Sequence, residues 1–209
     1  MGRWDDVVLK GRAVRLEPLG LQHIDGLVAA SAVDPSLYRW SAVPVGREAV
    51  QVYISAAIEL RDAGKALAFA TVRETDGLVI GSTRFFDIEQ WAWPEGHKRH
   101  GRTDPDVCEI GYTWLAASAI RTAANTETKL LMLTHAFEAW GMLRVCFHTD
   151  SRNDRSAAAL ARIGARFEGI LHSHRMATGF IARDSKRFSI TAAEWPEVKN
   201  NLAAKLERG

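Results

Sequence analysis

Two apolar strands separated by one amphipathic helix constrain the fold of this chain more than any other feature. Residues 107–115 read as a strand, residues 125–140 carry apolar side chains at helical spacing, and residues 144–149 form a second short strand. A strand, helix and strand in this order form a βαβ unit, in which the two strands are parallel. The sequence therefore predicts one parallel strand pair at the centre of the fold.

The rest of the chain predicts a mixed α/β order around this unit. Predicted strands cover 13–19, 66–74 and 78–88, and predicted helices cover 21–31, 48–63 and 153–163. Glu74-Thr75-Asp76-Gly77 predicts a hairpin turn, and a second hairpin is expected around Thr178-Gly179, before a terminal helix. No repeat or linker divides the chain, so we expect residues 1–209 to form one domain.

Composition excludes several classes of protein. The chain has 209 residues, of which 47% are hydrophobic and 25% charged, which is enough to bury a full core. No segment approaches the roughly 20 apolar residues of a membrane span, and the polar N-terminus does not resemble a signal peptide. The two cysteines form neither a metal-binding spacing nor a disulfide framework, and a net charge of +2 is too small to indicate nucleic acid. We expect a cytoplasmic protein that binds neither membranes nor nucleic acids.

Small and polar side chains stand directly before the helix of the βαβ unit. The run is Arg121-Thr122-Ala123-Ala124-Asn125-Thr126. Free N–H groups and the positive end of the helix dipole suit a phosphate at such a position. The glycine patterns of dinucleotide-binding folds and P-loops are absent, and an ordinary helix cap with a solvated Arg121 is the alternative.

The order "EIGYTWL", "RTAANTE" and "RVCFHTDSRNDRSAAALARIGARFEG" resembles the GNAT superfamily of N-acetyltransferases, and within it the RimJ/RimL-type branch. The resemblance extends from "VRLEPL" to "RFSIT". It implies a single-domain α/β (α+β) fold with a mixed, mostly antiparallel sheet whose parallel βαβ unit carries the acyl-CoA site. It also implies transfer of acetyl from acetyl-CoA, or of another acyl group from its CoA thioester, to a primary amine without a metal.

The resemblance further implies which residues bind the donor. The strand backbone at Thr113, Trp114 and Leu115 is expected to line the thioester arm and to supply N–H groups to the oxyanion. The pyrophosphate is expected at residues 121–126. The superfamily usually has Gln/Arg-x-x-Gly-x-Gly/Ala here, whereas this chain has Ile120-x-x-Ala123-x-Asn125, so Arg121 is expected to supply the missing charge.

Glu109 is the leading candidate for the base that removes a proton from the amine. Strand alternation predicts that Glu109, Gly111, Thr113 and Leu115 share one face. A carboxylate in a largely apolar strand is costly to bury unpaired, and such burial raises its pKa, which suits a base. Some superfamily members also carry a catalytic glutamate at this place. A structural ion pair is the alternative.

Ser156 and Asn153 match the Asn-x-x-Ser of the RimJ/RimL-type branch. There the serine is thought to protonate the departing sulfur, and the asparagine contacts the pantetheine arm or caps the helix. Leu160 stands where many superfamily members have a tyrosine acid. The alternative is that both residues are plain helix-start residues.

His174 is a second candidate proton acceptor. Strand alternation predicts that His172 and His174 share a face, and close relatives also have a histidine at the second position. The other acid proposed as a base in the branch would fall at Arg175, which is not acidic. A half-exposed strand residue without a catalytic role is the alternative for either histidine.

The sequence leaves two function classes possible, and it does not decide the role of one long loop. The first class is an acyltransferase acting on a protein N-terminus or a small amine, and the second is a coenzyme-A-binding regulatory module without turnover. Residues 89–106 form a loop with no periodicity, rich in tryptophan and basic residues. It is expected to cover the acceptor, to contact another copy in a homo-oligomer, or simply to be solvated.

Overall fold

The structure, a computed structural model, describes residues 7–177 and 180–208. The hairpin turn expected at Thr178-Gly179 lies outside these residues. Eight strands are present in the described part: β1 Leu9–Lys10, β2 Val14–Pro18, β3 Leu67–Arg73, β4 Val79–Glu89, β5 Val107–Leu115, β6 Arg144–Asp150, β7 Arg166–Met176 and β8 Ala182–Thr191. Five α-helices accompany them: α1 Ile24–Ala32, α2 Arg47–Asp62, α3 Ala124–Thr134, α4 Asp154–Arg162 and α5 Trp195–Glu207.

The eight strands form one sheet in the order β1-β2-β3-β4-β5-β6-β8-β7. Only β5 and β6 are parallel, and every other neighbouring pair is antiparallel. The predicted fold class, a mixed and mostly antiparallel sheet with one parallel βαβ unit, is therefore confirmed. That residues 1–209 form a single domain stays a prediction for the whole chain.

Both faces of the sheet are covered by helices. β3 is buried along nearly its whole length because Leu67 and Phe69 face α3 and α5, while Ala68 and Ala70 face α1 and α2. This explains why residues 67–73 read as an apolar run rather than as an alternating strand.

The predicted helix 125–140 is shorter and less regular than its apolar spacing suggests. Regular α3 ends at Thr134, and one wider π turn, His135–Ala139, continues it to Trp140. Gly141 then takes a left-handed conformation with φ of +62°. The extra residue in the turn keeps Trp140 buried against Phe85, with the ring centres 4.8 Å apart.

A buried carboxylate fixes the start of α3 relative to the sheet. Glu127 accepts hydrogen bonds from the backbone N–H groups of Arg12, Ala13 and Val14 at 2.7–2.8 Å. A Cβ on Gly11 would lie 2.4 Å from the Glu127 carboxyl carbon, so glycine is required for this close approach. The start of α3 is thereby tied to the beginning of β2.

Candidate active site

The parallel strands β5 and β6 separate after three residue pairs. Val107, Cys108 and Glu109 pair with residues 144–146, and beyond this point β5 stays on β4 while β6 stays on β8. The backbone edge of β5 that faces β6 therefore has no strand partner from Ile110 onward. A cleft of about 720 Å³ fills the gap, and residues 109–115 and 147–149 form its walls.

A bulge in β5 changes which side chains face this cleft. Tyr112 has a positive φ of +50°, and Gly111 and Trp114 pair with Arg84 and Ser82, which are only two residues apart. Because of this extra residue, Glu109 and Gly111 share the α2 face, whereas Thr113 lies on the α3 face. The predicted common face of Glu109, Gly111, Thr113 and Leu115 is therefore wrong.

Lys129 of α3 contacts the β5 bulge from the α3 face of the sheet. Its ammonium group donates a 2.7 Å hydrogen bond to the Thr113 hydroxyl, which lies 2.8 Å from the Thr83 hydroxyl. Lys129 is only 5% exposed and also lines the cleft. Burial lowers the pKa of Lys129 to about 7. Lys129 gives no signal in the sequence, because a lysine in an amphipathic helix is normally solvated.

The segment 116–123, here named the pre-α3 loop, closes one end of the cleft. Arg121 has a positive φ of +61° and is exposed, and Thr122 bridges the loop by donating to the Ala119 carbonyl and accepting from the Ala124 N–H. Thr122 thus satisfies one N–H at the start of the helix, although the N-cap residue is Ala123. The cleft-lining residues here are Ile120, Arg121, Thr122 and Asn125.

Three residues of the predicted phosphate segment lie behind this surface. Ala124 is buried, the Thr126 hydroxyl accepts a 3.1 Å hydrogen bond from Arg162, and none of Ala123, Ala124 and Thr126 is among the residues that line the cleft. The structure therefore does not place these three predicted site residues in the cleft wall, and the Ala124 N–H is already donated to Thr122.

The N-terminal turn of α4 forms the opposite wall. Asn153 caps the helix, since its side-chain oxygen accepts a 3.1 Å hydrogen bond from the Ser156 N–H. The Ser156 hydroxyl has no hydrogen-bond partner among the described residues, and both side chains line the cleft. The helix cap accounts for the asparagine at position 153, and the hydroxyl group of Ser156 remains available for a ligand.

Glu109, His148, His174 and Arg175, here named the Glu109 cluster, lie where the two strands separate. Glu109 is 4% exposed, and its Oε2 accepts a 2.8 Å hydrogen bond from Arg175. His148 Nδ1 lies 2.8 Å from the same oxygen, although off the direction that a hydrogen bond requires. No described residue hydrogen-bonds Oε1, which lies on the side of Gly111. His148 was missed because its position in a short apolar strand gave no signal.

The two histidines of β7 lie in different environments, so their predicted common face is wrong. Ser173 between them has a positive φ of +48°, and the pairing with β8 shifts between Leu171 and Arg175. His172 is exposed and contacts Asp184 at 3.0 Å. His174 packs on His148 with ring centres 4.5 Å apart, and it is not among the residues that line the cleft. Burial, followed by the charge of His148, lowers the pKa of His174.

The long loop between β4 and β5, here named the Asp106 loop (residues 90–106), folds around a buried carboxylate. Asp106 accepts hydrogen bonds from the Trp91 N–H, the Trp93 indole and the Arg99 guanidinium at 2.8–3.0 Å. Arg99 also donates to the Gly141 carbonyl. No residue of this loop lines the cleft, so the loop does not cover the site in this structure.

The sequence from residue 13 to residue 166 matches the family model described as an acetyltransferase (GNAT) domain. The chain belongs to the GNAT acetyltransferase family. A GCN5-related N-acetyltransferase from Brucella melitensis is 30% identical with a TM-score of 0.81, covering 96% of this chain and 85% of that one. No curated protein sequence matches the chain.

Two further solved structures share the fold. RimJ from Mycobacterium smegmatis, in complex with CoA-disulfide, is 23% identical with a TM-score of 0.78, covering 97% of this chain and 95% of that one. A ribosomal-protein-S5-alanine acetyltransferase from Vibrio fischeri is 16% identical with a TM-score of 0.69, covering 91% and 99%. At these identities the likeness establishes the shared fold.

The chain is accordingly a GNAT-family enzyme that transfers acetyl from acetyl-CoA to an amine. Its cleft fits this cosubstrate because it combines an unpaired β5 edge with exposed Arg121 at one end and a buried carboxylate, Glu109, at the other. None of the helices in the described part is long and apolar enough to cross a membrane. Residues 7–177 and 180–208 contain no cluster of three side chains suited to a metal ion.

Proposed function

We propose that the donor lies along the β5 edge, with its pyrophosphate at the pre-α3 loop and its thioester at the β5 bulge. The observation that carries this proposal is the separation of β5 from β6, because it leaves strand N–H and C=O groups facing a cleft rather than another strand. Backbone groups at Thr113, Trp114 and Leu115 then pair with the pantetheine arm, and N–H groups near the bulge stabilise the oxyanion.

At the pre-α3 loop, small side chains let a phosphate approach the backbone. N–H groups from Thr122 to Thr126, apart from that of Ala124, which donates to Thr122, contribute partial positive charge together with the dipole of α3, and Arg121 adds a full charge. The side chains of Ala123 and Ala124 matter by being small, while Asn125 faces the cleft directly. This arrangement replaces the glycines that the superfamily usually has here.

Glu109 is proposed to take the proton of the attacking amine. Oε2 is held by Arg175 and approached by His148, so the carboxylate has a fixed orientation. Oε1 has no described hydrogen-bond partner and faces the bulge, where the acceptor nitrogen must approach the thioester. His174 lies one side chain farther away, behind His148, so it is the second candidate.

Ser156 is proposed to donate a proton, or a hydrogen bond, to the departing thiolate. Its hydroxyl is unengaged, and it lies on the α4 wall across the cleft from β5. Asn153 shapes this wall through its cap and offers its remaining amide N–H groups to the pantetheine arm.

The acceptor is proposed to be a primary amine, on a protein N-terminus or on a small molecule. The Brucella neighbour is described as an N-acetyltransferase, and the Vibrio fischeri neighbour as acting on a ribosomal-protein alanine. Transfer to a peptide N-terminus requires the cleft to be open at the Glu109 end, where Arg175, Met176 and Arg183 line it.

Acetyl transfer from acetyl-CoA to a panel of amines tests this function. The panel contains peptides with free N-termini, the same peptides with blocked N-termini and a lysine side chain, and small primary amines. Thiol release together with an acetylated product, identified by mass spectrometry, is expected for at least one free amine. Thermal stabilisation by CoA without release from any amine would instead indicate the regulatory module.

A further inference from the structure

Lys129 is a buried cation that the proposed mechanism does not use. It lies in the second turn of α3, it is 5% exposed, and its ammonium group lines the donor cleft. An ammonium group has three N–H donors, and within the described residues only the Thr113 hydroxyl accepts from it. In the protonated form, two donors therefore remain for a ligand.

Among the described residues, no carboxylate contacts the Lys129 ammonium group. Glu127, two residues earlier, is turned away and accepts the N–H groups of residues 12–14. Glu109 is the one carboxylate among the described residues that line the cleft, and it lies on the opposite face of β5 from Thr113, where Arg175 holds it. The remaining charged groups of the lining are cations, namely Arg121, Arg155, Arg162, Arg175 and Arg183. The strands present only hydroxyl groups to Lys129. Because burial alone lowers its pKa to about 7, the free enzyme holds much of Lys129 in the neutral form near physiological pH.

The position of Lys129 relates it to both parts of the donor. Four residues of α-helix place its backbone about 6 Å along the axis from Asn125, and helical side chains point back toward the N-terminus of their helix. Its ammonium group thus lies between the pre-α3 loop and Thr113. On the placement of the donor proposed above, it faces the pantetheine arm with the pyrophosphate within several ångströms.

We propose that Lys129 takes up a proton when an acyl-CoA donor enters the cleft and then serves as the buried cation for its phosphate and carbonyl oxygens. This inference rests on the proposed function, since it requires the donor at the pre-α3 loop. The proton comes from solvent, and no covalent bond changes. Lys129 is thereby a donor-binding residue whose contribution depends on pH.

Two opposite effects on the pKa of Lys129 decide whether donor binding takes up or releases a proton. At an effective dielectric constant of about 20, one negative charge about 7 Å away raises the pKa of an ammonium group by roughly 1.7 units. The donor also displaces water from the cleft, which lowers the pKa of the same group. Proton uptake therefore shows that the charge of the donor outweighs the added burial, and proton release shows the reverse.

Calorimetry of CoA binding at pH 7.5 measures this proton directly. The binding enthalpy is determined in PIPES and in Tris, whose ionisation enthalpies differ, and the difference gives the number of protons exchanged. A shift from about 7 to about 8.7 corresponds to an uptake of roughly 0.7 proton by Lys129. Protonation of CoA itself contributes equally in every variant, so the comparison between variants isolates Lys129.

Three variants complete the test. Lys129→Arg keeps the positive charge but does not titrate in this pH range. Lys129→Met removes both the charge and the titrating group. Lys65→Arg, in the exposed turn after α2, is the matched control. Uptake is expected to fall by about 0.7 proton in both Lys129 variants and to be unchanged in Lys65→Arg. Lys129→Arg should retain CoA affinity at pH 8.5, where the wild-type affinity falls. Thermal unfolding verifies that each variant is folded.

The outcomes distinguish failure of this inference from failure of the proposed function on which it rests. Binding of CoA with equal proton uptake in wild type and both Lys129 variants, or with proton release in the wild type, overturns the role of Lys129 alone. Failure of the folded wild type to bind CoA overturns the placement of the donor and this inference with it.

Discussion

The two loops that flank β5 differ in composition and in what their polar groups contact. The Asp106 loop contains tryptophans, histidines and basic residues, and its main polar groups bind one another around one buried carboxylate. The pre-α3 loop contains mostly small residues, and it leaves an exposed arginine and the start of a helix facing the cleft. In the loop with the richer chemistry, the main polar groups are therefore engaged within the loop itself.

The same contrast holds for the two buried carboxylates near the start of β5. Both oxygens of Asp106 accept hydrogen bonds from its own loop. Glu109 engages only Oε2, while Oε1 has no partner among the described residues. Unsatisfied polar groups facing a cavity, rather than the residue types themselves, distinguish the site from the scaffold.

Replacement of Asp106 by alanine should produce the largest change in stability. Arg99, whose side chain is 12% exposed, would lose its carboxylate partner and keep only the Gly141 carbonyl, and the Trp91 N–H and the Trp93 indole would lose their acceptor. Breaking a buried ion pair costs about 3–5 kcal/mol in the free energy of unfolding. Urea unfolding measures this loss, with the exposed Glu95→Ala as control. CoA affinity of the folded fraction should be unchanged, and a selective loss of CoA binding would contradict the structural role.

Glu109→Gln should affect rate rather than stability. The amide keeps the shape and an acceptor for Arg175 but cannot take a proton, and general-base help is typically about 10²–10⁴-fold. A loss of at least about 100-fold in kcat/KM is expected, with CoA affinity retained and the loss shrinking at high pH, where more amine is neutral. Nearly full activity of Glu109→Gln, together with an inactive His174→Ala, would assign the base to the histidine.

Arg121→Gln should weaken CoA binding with little effect on turnover at saturation. Arg121 is exposed, so the loss of its charge-assisted contact should reduce affinity by about 3- to 10-fold. Isothermal titration gives the dissociation constant, and Arg39→Gln, an exposed arginine whose side chain does not line the cleft, is the control. Equal affinities of the Arg121 variant and the wild type would show that the charge of Arg121 does not contribute to the proposed phosphate site.

Ser156→Ala should show the smallest effect. A thiolate whose conjugate acid has a pKa near 8.5 leaves without much help, so about a fivefold loss in kcat is expected, with CoA affinity unchanged. Steady-state kinetics at saturating acetyl-CoA measures it. A change confined to affinity would show that the serine only positions the pantetheine arm.

Periodicity predicted the elements of this fold well and the faces of its strands poorly. The βαβ unit, the Glu74–Gly77 hairpin turn and the parallel pair follow from spacing and turn residues. The bulges at Tyr112 and Ser173 do not, because each depends on a backbone conformation that tertiary contacts select. Alternation therefore placed Thr113 on the wrong face and grouped His172 with His174.

The candidate site was predictable in outline for a similar reason. Glu109, Ser156 and Asn125 follow from motif resemblance, and all three line the cleft. Lys129 and His148 carry no local signal, since their proximity to β5 depends on the docking of α3 and on the separation of β6. The burial of Ala124 and Thr126 likewise depends on which side of the helix faces the sheet.

Amide hydrogen exchange with and without CoA tests the central claim most directly, because it compares the two loops in one experiment. Binding at the unpaired groups should slow exchange in residues 119–126 and along β5 from residue 112 to 115. Residues 90–106 should exchange at the same rates in both states. Protection of the Asp106 loop without protection of residues 119–126 would contradict the account.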